Sequence, residues 1–296
     1  MTNPVLQKLG FKPDDRLVIV HADDVGMCHA ANAAFWENQA VGIVTCGSVM
    51  MPCPWVPEMA AWCRQHPQAD VGVHITLTSE WKAQGYRWRP LSTVDPKSGL
   101  LDEQGYMWPS VSELHAHMDV GAAIVEMRAQ IEHALALGID VTHIDTHMGA
   151  IAHPQLAPGY IQLAIDYRIP AMIPRRARQL DELQRVDPSA VQALLSVFDE
   201  LAASGFPVLD YTCDLPFLGD RFQEYTRFFD AAPVGITHLQ THPSVPGYDV
   251  EVITRSAPGR IADYQTFLRP ELQAYVATRG VHLLGYRVLR DLIRGT

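Results

Sequence analysis

The chain has 296 residues, of which 48% are hydrophobic and 19% are charged, and its formal net charge is −10. This composition is typical of a globular protein that buries a large core. Because no basic run offsets the negative charge, the sequence argues against nucleic acid and anionic membrane surfaces as partners.

Targeting signals and cysteine motifs are the next features to consider. The segment 1–15 lacks the basic and apolar regions of a signal peptide, and no apolar run reaches the ~18 residues that a membrane helix needs. The five cysteines form no Cys-x-x-Cys pair, which argues against thiolate zinc sites and redox motifs. An odd number of scattered thiols fits a reducing compartment, so we expect a cytoplasmic protein.

Short apolar runs alternate with helical stretches along the chain. Strands are predicted at 17–21, 44–50, 71–76, 141–146, 170–173, 208–211, 235–240 and 281–284. Helices are predicted at 28–39, 55–65 and 160–167, around Ile124, Met127, Ile131 and Leu135 up to Gly138, and around Val191, Leu194, Leu195, Phe198 and Leu201 up to Gly205. Repeated strand-then-helix units indicate a parallel sheet. We therefore predict an α/β fold with one (β/α) barrel-like domain over residues 1–296, TIM-like and seven-stranded or otherwise distorted.

A long segment after the third predicted strand, residues 79–110, interrupts this alternation. It contains five aromatic residues: Trp81, Tyr86, Trp88, Tyr106 and Trp108. A loop of this length in a compact domain is usually functional. Two interpretations remain open: Trp81 and Trp88 form a platform for a sugar ring, or the aromatic residues form a small additional core.

Two adjacent carboxylates, Asp23 and Asp24, follow the first predicted strand. In α/β folds the C-terminal ends of strands open onto the ligand crevice. Neighbouring carboxylates there repel each other and lose solvation. A divalent cation or a shared proton would relieve both costs, so this pair predicts metal-assisted chemistry.

Other titratable side chains also lie near strand ends. Side chains alternate between the two faces of a strand, so His143, Asp145 and His147 share one face of the strand 141–146 and its continuation. Three such groups on a buried face are costly unless they share protons or a metal. His74 and Thr76 share a face of the third strand, and His242 follows the strand 235–240. Each histidine taken alone could equally be structural.

Taken together, these motifs resemble the YdjC-like, ChbG-type carbohydrate deacetylases. The corresponding segments are His21–Gly26, Gly72–Thr78, His143–His147 and His242–Ser244, and the likeness spans about residues 16–245. The family pattern begins Asn-Ala-Asp-Asp-Phe-Gly and has His-Pro-Gly near its end. This chain instead has His21, Val25 and Ser244, and Met148-Gly149 follow His147. Asp23, Asp24, His74 and His147, which also belong to the family pattern, are all retained.

The resemblance implies a divalent metal ion, Zn²⁺ or Mg²⁺, and hydrolysis of an N-acetyl group on an amino sugar or short oligosaccharide. It places the metal ligands at Asp24, His74 and His147, the general base at Asp23 and the general acid at His242. Residues expected to support these groups or to contact the acetylated sugar are His21, His143, Asp145, Thr76, Trp81 and Trp88.

Two alternatives remain open at this point. The first is a metal-dependent barrel hydrolase of a non-sugar amide or a phosphoester, for which Arg175 and Arg176 would supply a phosphate clamp. The second is a non-catalytic sugar-binding protein on the same scaffold. The sequence also leaves open the identity of the metal and whether the chain forms a homo-oligomer.

Overall fold

The computed structural model describes residues 3–175, 188–217 and 219–296. Seven parallel strands form its sheet. They are β1 (Arg16–Val25), β2 (Cys46–Val49), β3 (Val71–Ile75), β4 (Val141–Thr146), β5 (Tyr211–Asp214), β6 (Gly235–Thr241) and β7 (Val281–Leu283).

The sheet closes into a barrel through the segment 170–175. Its strand order is β4-β3-β2-β1-β6-β5, and β7 pairs with the start of β1. Between β4 and β5, Met172 N donates to Ile144 O, and Arg175 N donates to Leu209 O, each at 2.9 Å. Isolated parallel bridges at Ala171 and Leu209 lie in the same region. The barrel-like α/β fold predicted from the sequence is confirmed, and the segment 170–175 bridges β4 and the residues just before β5.

Helices surround the sheet. The described helices are α1 (Pro4–Lys8), α2 (His29–Val41), α3 (Val56–Gln65), α4 (Val111–His117), α5 (Val120–Ala136), α6 (Ala157–Tyr167), α7 (Pro188–Ser204), α8 (Arg221–Ala231), α9 (Tyr248–Ile253), α10 (Ala257–Phe267), α11 (Pro270–Ala277) and α12 (Arg287–Arg294). Of the described residues, none belongs to a helix that is long and apolar enough to span a membrane.

Helix α5 shows how local sequence determines these elements. Asp119 caps its N-terminus by accepting a hydrogen bond from Ala122 N at 2.7 Å. Beyond its C-terminus, Gly138 takes a φ of +81°, which glycine adopts without a Cβ penalty. Met127 and Ile131 are fully buried in the core between helices and sheet. The apolar stripe predicted for this helix is therefore confirmed at its centre, but Leu135 is exposed.

Other predicted boundaries can be compared directly. The strand predicted at 208–211 is displaced, since β5 begins only at Tyr211 and the preceding residues form a single bridge at Leu209. The predicted helix that contains Val191 and Leu194 corresponds to α7, but those two side chains lie outside the described residues.

The interior of the barrel is layered along its axis. An apolar layer at the N-terminal end includes Leu17, Ile19, Ile236 and Tyr286. Above it along β1 come His21 and Asp23, which continue the same alternating face of the strand. Leu17, Ile19 and His21 are completely buried and Asp23 is 4% exposed. The strands therefore place titratable groups at the C-terminal mouth of the barrel.

A distortion at the end of β1 reorients Asp24. Residues next to each other in a strand normally face opposite sides, so Asp23 and Asp24 would diverge. Asp24 instead has a φ of +60°, and the pairing between β1 and β2 shifts register between Ala22 and Val25. Irregularities of this kind redirect side chains near functional sites. Here both carboxylates reach the mouth of the barrel.

Candidate metal and catalytic site

Three potential metal-binding atoms converge at the mouth of the barrel. Asp24 Oδ1 lies 3.1 Å from His147 Nδ1 and 3.4 Å from His74 Nε2, and the two ring nitrogens lie 3.3 Å apart. All three residues are buried. The sequence-predicted ligands, which come from β1, β3 and the residue after β4, are therefore brought together in space.

Carboxylates hold the outer nitrogens of both histidines. His74 Nδ1 lies 2.8 Å from Asp145 Oδ2 and 3.0 Å from the hydroxyl of Ser48. His147 Nε2 lies 2.9 Å from Glu80 Oε2. Carboxylates in this position fix the tautomer and orientation of a metal-ligating imidazole. The inner nitrogens, His74 Nε2 and His147 Nδ1, are thus directed at Asp24.

Arg260 contacts the other oxygen of Asp24. Its Nη2 donates to Asp24 Oδ2 at 2.7 Å, and its Nε donates to Ser256 Oγ at 2.9 Å. The guanidinium also lies 5.8 Å from the ring of Trp81. The ion pair with Arg260 occupies Oδ2 and leaves Oδ1 of Asp24 directed at the two histidines.

The charges in this cluster shift its pKa values. Burial alone would raise the pKa of Asp24, but Arg260 and the two histidines hold that pKa well below its ordinary value. Burial alone would lower the pKa of His147, but Glu80 and Asp24 raise it from 6.5 to about 9. The pKa of His74 is likewise raised well above its ordinary value, because Asp145 outweighs burial.

The donor set fits a divalent cation. Asp24 Oδ1 is buried and has no hydrogen-bond partner of good geometry, which is costly unless another group satisfies it. Donor atoms at ~2.1 Å from a zinc ion lie roughly 3.0–3.4 Å apart, and the three spacings here are 3.1, 3.3 and 3.4 Å. One carboxylate and two imidazoles suit Zn²⁺ and similar transition metals more than Ca²⁺.

Asp23 lies beside this cluster and has its own partners. Its Oδ1 lies 2.6 Å from His21 Nδ1, and its Oδ2 lies 3.9 Å from His242 Nε2. Burial alone would raise the pKa of Asp23, but the hydrogen bond from His21 and the charges of His21, His74 and His242 lower it. An ionised, buried carboxylate that is directed at the mouth is suited to accept a proton.

His242 occupies the rim of the site. It follows β6, and its side chain retains 23% of its exposure, whereas Asp23 is almost completely enclosed. Its backbone N–H donates to Asp263 Oδ2 at 3.3 Å, which ties the start of the loop to helix α10. The Phe217 ring lies 5.9 Å from the imidazole. His242 is therefore accessible to a molecule that enters the mouth.

His143 and His238 lie deeper in the barrel and are completely buried. His143 stacks on Tyr286 with ring centroids 4.0 Å apart, and His238 Nδ1 lies 2.8 Å from the Tyr286 hydroxyl. Burial, together with the neighbouring charge of His21, lowers the pKa of both histidines, that of His238 to about 3. Both rings are therefore neutral.

Two residues of the insertion require a correction. Trp81 and Trp88 are 6% and 4% exposed and pack with Met27, Met50 and Met107 in a small core. The platform interpretation needed accessible ring faces, so it is wrong for these two side chains. Their ring centroids lie 6.3 and 6.4 Å from that of His147. They form the wall behind a predicted metal ligand.

Thr76 braces the end of β3 without reaching the ligand cluster. Its hydroxyl donates to His74 O at 2.6 Å, and its backbone N–H donates to Gln130 Oε1 on helix α5 at 2.9 Å. Gln130 Nε2 in turn donates to Thr76 O at 2.6 Å. These bonds fix the strand end from which His74 projects.

Sequence reasoning did not identify Glu80 and Arg260. Glu80 is the second residue of the insertion, and no periodic pattern in the sequence marks its carboxylate. Arg260 lies on α10, 236 positions from Asp24. The arginine that sequence reasoning did consider, Arg175, lies 3.5 Å from Asp199. Its neighbour Arg176 lies outside the described residues.

Fold and site together define a parallel α/β barrel with a His/Asp cluster at the C-terminal ends of its strands. A family model described as YdjC-like protein matches residues 17–278, and the chain belongs to this family. A carbohydrate deacetylase from Thermus thermophilus is 32% identical over 98% of this chain and 99% of its own length. Another from Geobacillus stearothermophilus is 29% identical over 92% of this chain and 97% of its own length.

A solved structure supports the fold independently. It comes from Enterococcus faecalis and is described as a cellobiose-phosphate cleavage protein. It superimposes on this chain with a TM-score of 0.75 at 20% identity, covering 93% of this chain and 99% of its own. At this level of identity the likeness concerns the fold alone.

Proposed function

We propose that this protein is a metal-dependent hydrolase that removes the N-acetyl group from an amino sugar or a short oligosaccharide. The observation that carries the proposal is the buried convergence of Asp24, His74 and His147, with Asp23 beside it. Membership of the YdjC-like family and similarity to carbohydrate deacetylases support the reaction class.

Asp24, His74 and His147 would hold one divalent cation, for which Zn²⁺ suits the imidazole donors better than Mg²⁺. A cation bound there lowers the pKa of water and polarises a carbonyl oxygen. Glu80 and Asp145 keep the two imidazoles oriented, and Arg260 fixes Asp24 through its second oxygen. These contacts hold the donors in place before metal and substrate arrive.

Asp23 would accept the proton of the attacking water. It is buried, its pKa is lowered, and its Oδ2 makes no hydrogen bond with His21. His242, 3.9 Å from that oxygen, would protonate the departing amine. An amine is a poor leaving group, so the acid is needed as much as the base. The two residues lie on neighbouring strand ends and face the same space.

A substrate panel tests this proposal. N-acetylglucosamine, its short β-linked oligomers, an amide without a sugar and a sugar phosphate are incubated with zinc-loaded or magnesium-loaded protein. We expect acetate and free amine in equal amounts from an acetylated amino sugar. Asp23→Asn should retain metal while turnover falls by ~10² to 10⁴. Phosphate release, or acetyl release only from the sugar-free amide, would contradict the assignment.

A further inference from the structure

A continuous series of close polar contacts runs from Asp23 at the mouth down into the barrel. His21 Nδ1 lies 2.6 Å from Asp23 Oδ1, and His21 Nε2 lies 2.8 Å from His143 Nε2. His143 Nδ1 lies 2.9 Å from the hydroxyl of Thr142, which donates to Asp70 Oδ1 at 2.5 Å. Each contact is within hydrogen-bond range.

The interior members of this series of contacts have no access to solvent. His21, His143 and Thr142 are completely buried, whereas Asp23 and Asp70 at the two ends are 4% and 7% exposed. Buried polar groups are costly unless they are hydrogen-bonded. Both ring nitrogens of His21 and of His143 have a partner within this series of contacts, so the buried imidazoles satisfy one another without water.

Packing leaves little freedom for the His143 ring. Tyr286 stacks on it with an interplanar angle of 15°. Gly72 also lies against the ring, since a Cβ atom at that position would lie 2.6 Å from it. Glycine at this position of β3 therefore makes room for the imidazole. The ring that contacts His21 is consequently held in one orientation.

Asp70, at the far end of this series of contacts, is fixed to the backbone. Asp70 Oδ2 accepts a hydrogen bond from Arg287 N at 2.7 Å, at the start of helix α12. Its Oδ1 is the acceptor for Thr142. The series of contacts thus connects the Asp23 carboxylate at the mouth to Asp70, which directly precedes β3 and is hydrogen-bonded to the start of α12.

We propose that His21 is a positioning residue that orients Asp23 for proton abstraction, with His143, Thr142 and Asp70 as its support. An ionised carboxylate only accepts hydrogen bonds, so Nδ1 of His21 carries the hydrogen that Asp23 Oδ1 accepts. This bond directs Oδ2 at the mouth, where His242 lies. The inference rests on the proposed role of Asp23 as the base.

Two variants of His21 separate positioning from packing. In His21→Asn the amide nitrogen replaces Nδ1 and still donates to Asp23, whereas in His21→Gln the amide group reaches the position of Nε2 and the donor to Asp23 is lost. A misplacement of ~1 Å can cost about 10²-fold in rate. We expect His21→Asn to keep kcat within about tenfold of wild type and His21→Gln to lose about 10²-fold, with KM and metal content unchanged in both. Equal kcat losses in the two variants would overturn the proposal.

Nitrogen NMR of the wild-type protein tests the contact without relying on a variant that folds. We expect a hydrogen on Nδ1 of His21. An Nδ1 of His21 that carries no hydrogen in the wild type would overturn the proposal. Because this measurement needs no substrate, it tests the inference even if the substrate panel fails to release acetate. Acetate release together with a bare Nδ1 would instead refute only the role of His21.

Discussion

Glu80 makes the most informative single contact at the predicted metal site. Its carboxylate lies 2.9 Å from His147 Nε2 and retains 20% of its exposure. Removal of a group that orients a metal-ligating histidine typically costs 10–100-fold in metal affinity. We therefore expect Glu80→Ala to weaken zinc binding by about that factor, measured by competition with a chelating dye.

A matched control for this variant lies on helix α5. Glu132 is exposed and accepts a hydrogen bond from the Tyr167 hydroxyl at 2.9 Å. Glu132→Ala removes a similar carboxylate and should leave zinc affinity unchanged. Equal affinities for Glu80→Ala and wild type would show that the insertion does not support the metal site.

The protonation of His147 predicts how metal binding depends on pH. In the metal-free protein its pKa is raised from 6.5 to about 9, so its stabilising contribution is full below pH 6.5 and is lost as pH rises through 9. A metal ligates only the neutral imidazole, so binding releases protons. Zinc or manganese affinity should therefore increase between pH 6.5 and 9, with proton release in calorimetry. An affinity that is constant over this range would contradict the ligand assignment.

At the scale of elements, the insertion after β3 is a structural part of the site. Trp81 and Trp88 join residues of the β1–α2 connection, α2 and α9 in one small core, and Trp88 Nε1 donates to Thr78 O at 2.9 Å. Glu80 lies just before the first of these rings in the sequence. Packing of the insertion therefore determines where Glu80 stands relative to His147.

This arrangement predicts the effect of trimming Trp88. Truncation of a buried tryptophan to alanine costs about 3–5 kcal/mol of unfolding free energy, so Trp88→Ala should clearly lower Tm. KM for the sugar should stay unchanged, because the ring is only 4% exposed. Tyr248→Ala is the control, since that side chain is 82% exposed. A raised KM with an unchanged Tm would contradict this structural role of Trp88.

The end of β1 illustrates what sequence periodicity predicts and what it misses. The apolar run before His21 predicts a buried strand, and the regular alternation of that strand puts His21 and Asp23 on its inner face. The same rule would send Asp24 outward. Only the positive φ at Asp24 and the register shift beside it bring its carboxylate inward. Backbone irregularity of this kind depends on neighbouring strands, so the local sequence did not show it.

At the scale of the whole molecule, local patterns predicted the strands and their chemistry but not the contacts between distant segments. Each predicted ligand stands at the end of a strand whose apolar run was visible in the sequence. Glu80 and His147 are 67 positions apart, and Asp24 and Arg260 are 236 apart. Burial of Trp81 and Trp88 likewise depends on helix α9, far along the chain. Such pairings depend on how the barrel closes, which periodicity alone does not encode.

The proposed function requires that acetyl release depend on one metal ion held by Asp24, His74 and His147. Acetate release from the best acetylated sugar of the panel is measured on chelator-treated protein as zinc or magnesium is added back. We expect no acetate without metal, recovery at about one equivalent per chain, and no recovery in a folded His74→Ala, His147→Ala variant. Acetate release that survives chelation, or that recovers in the double variant, would contradict it.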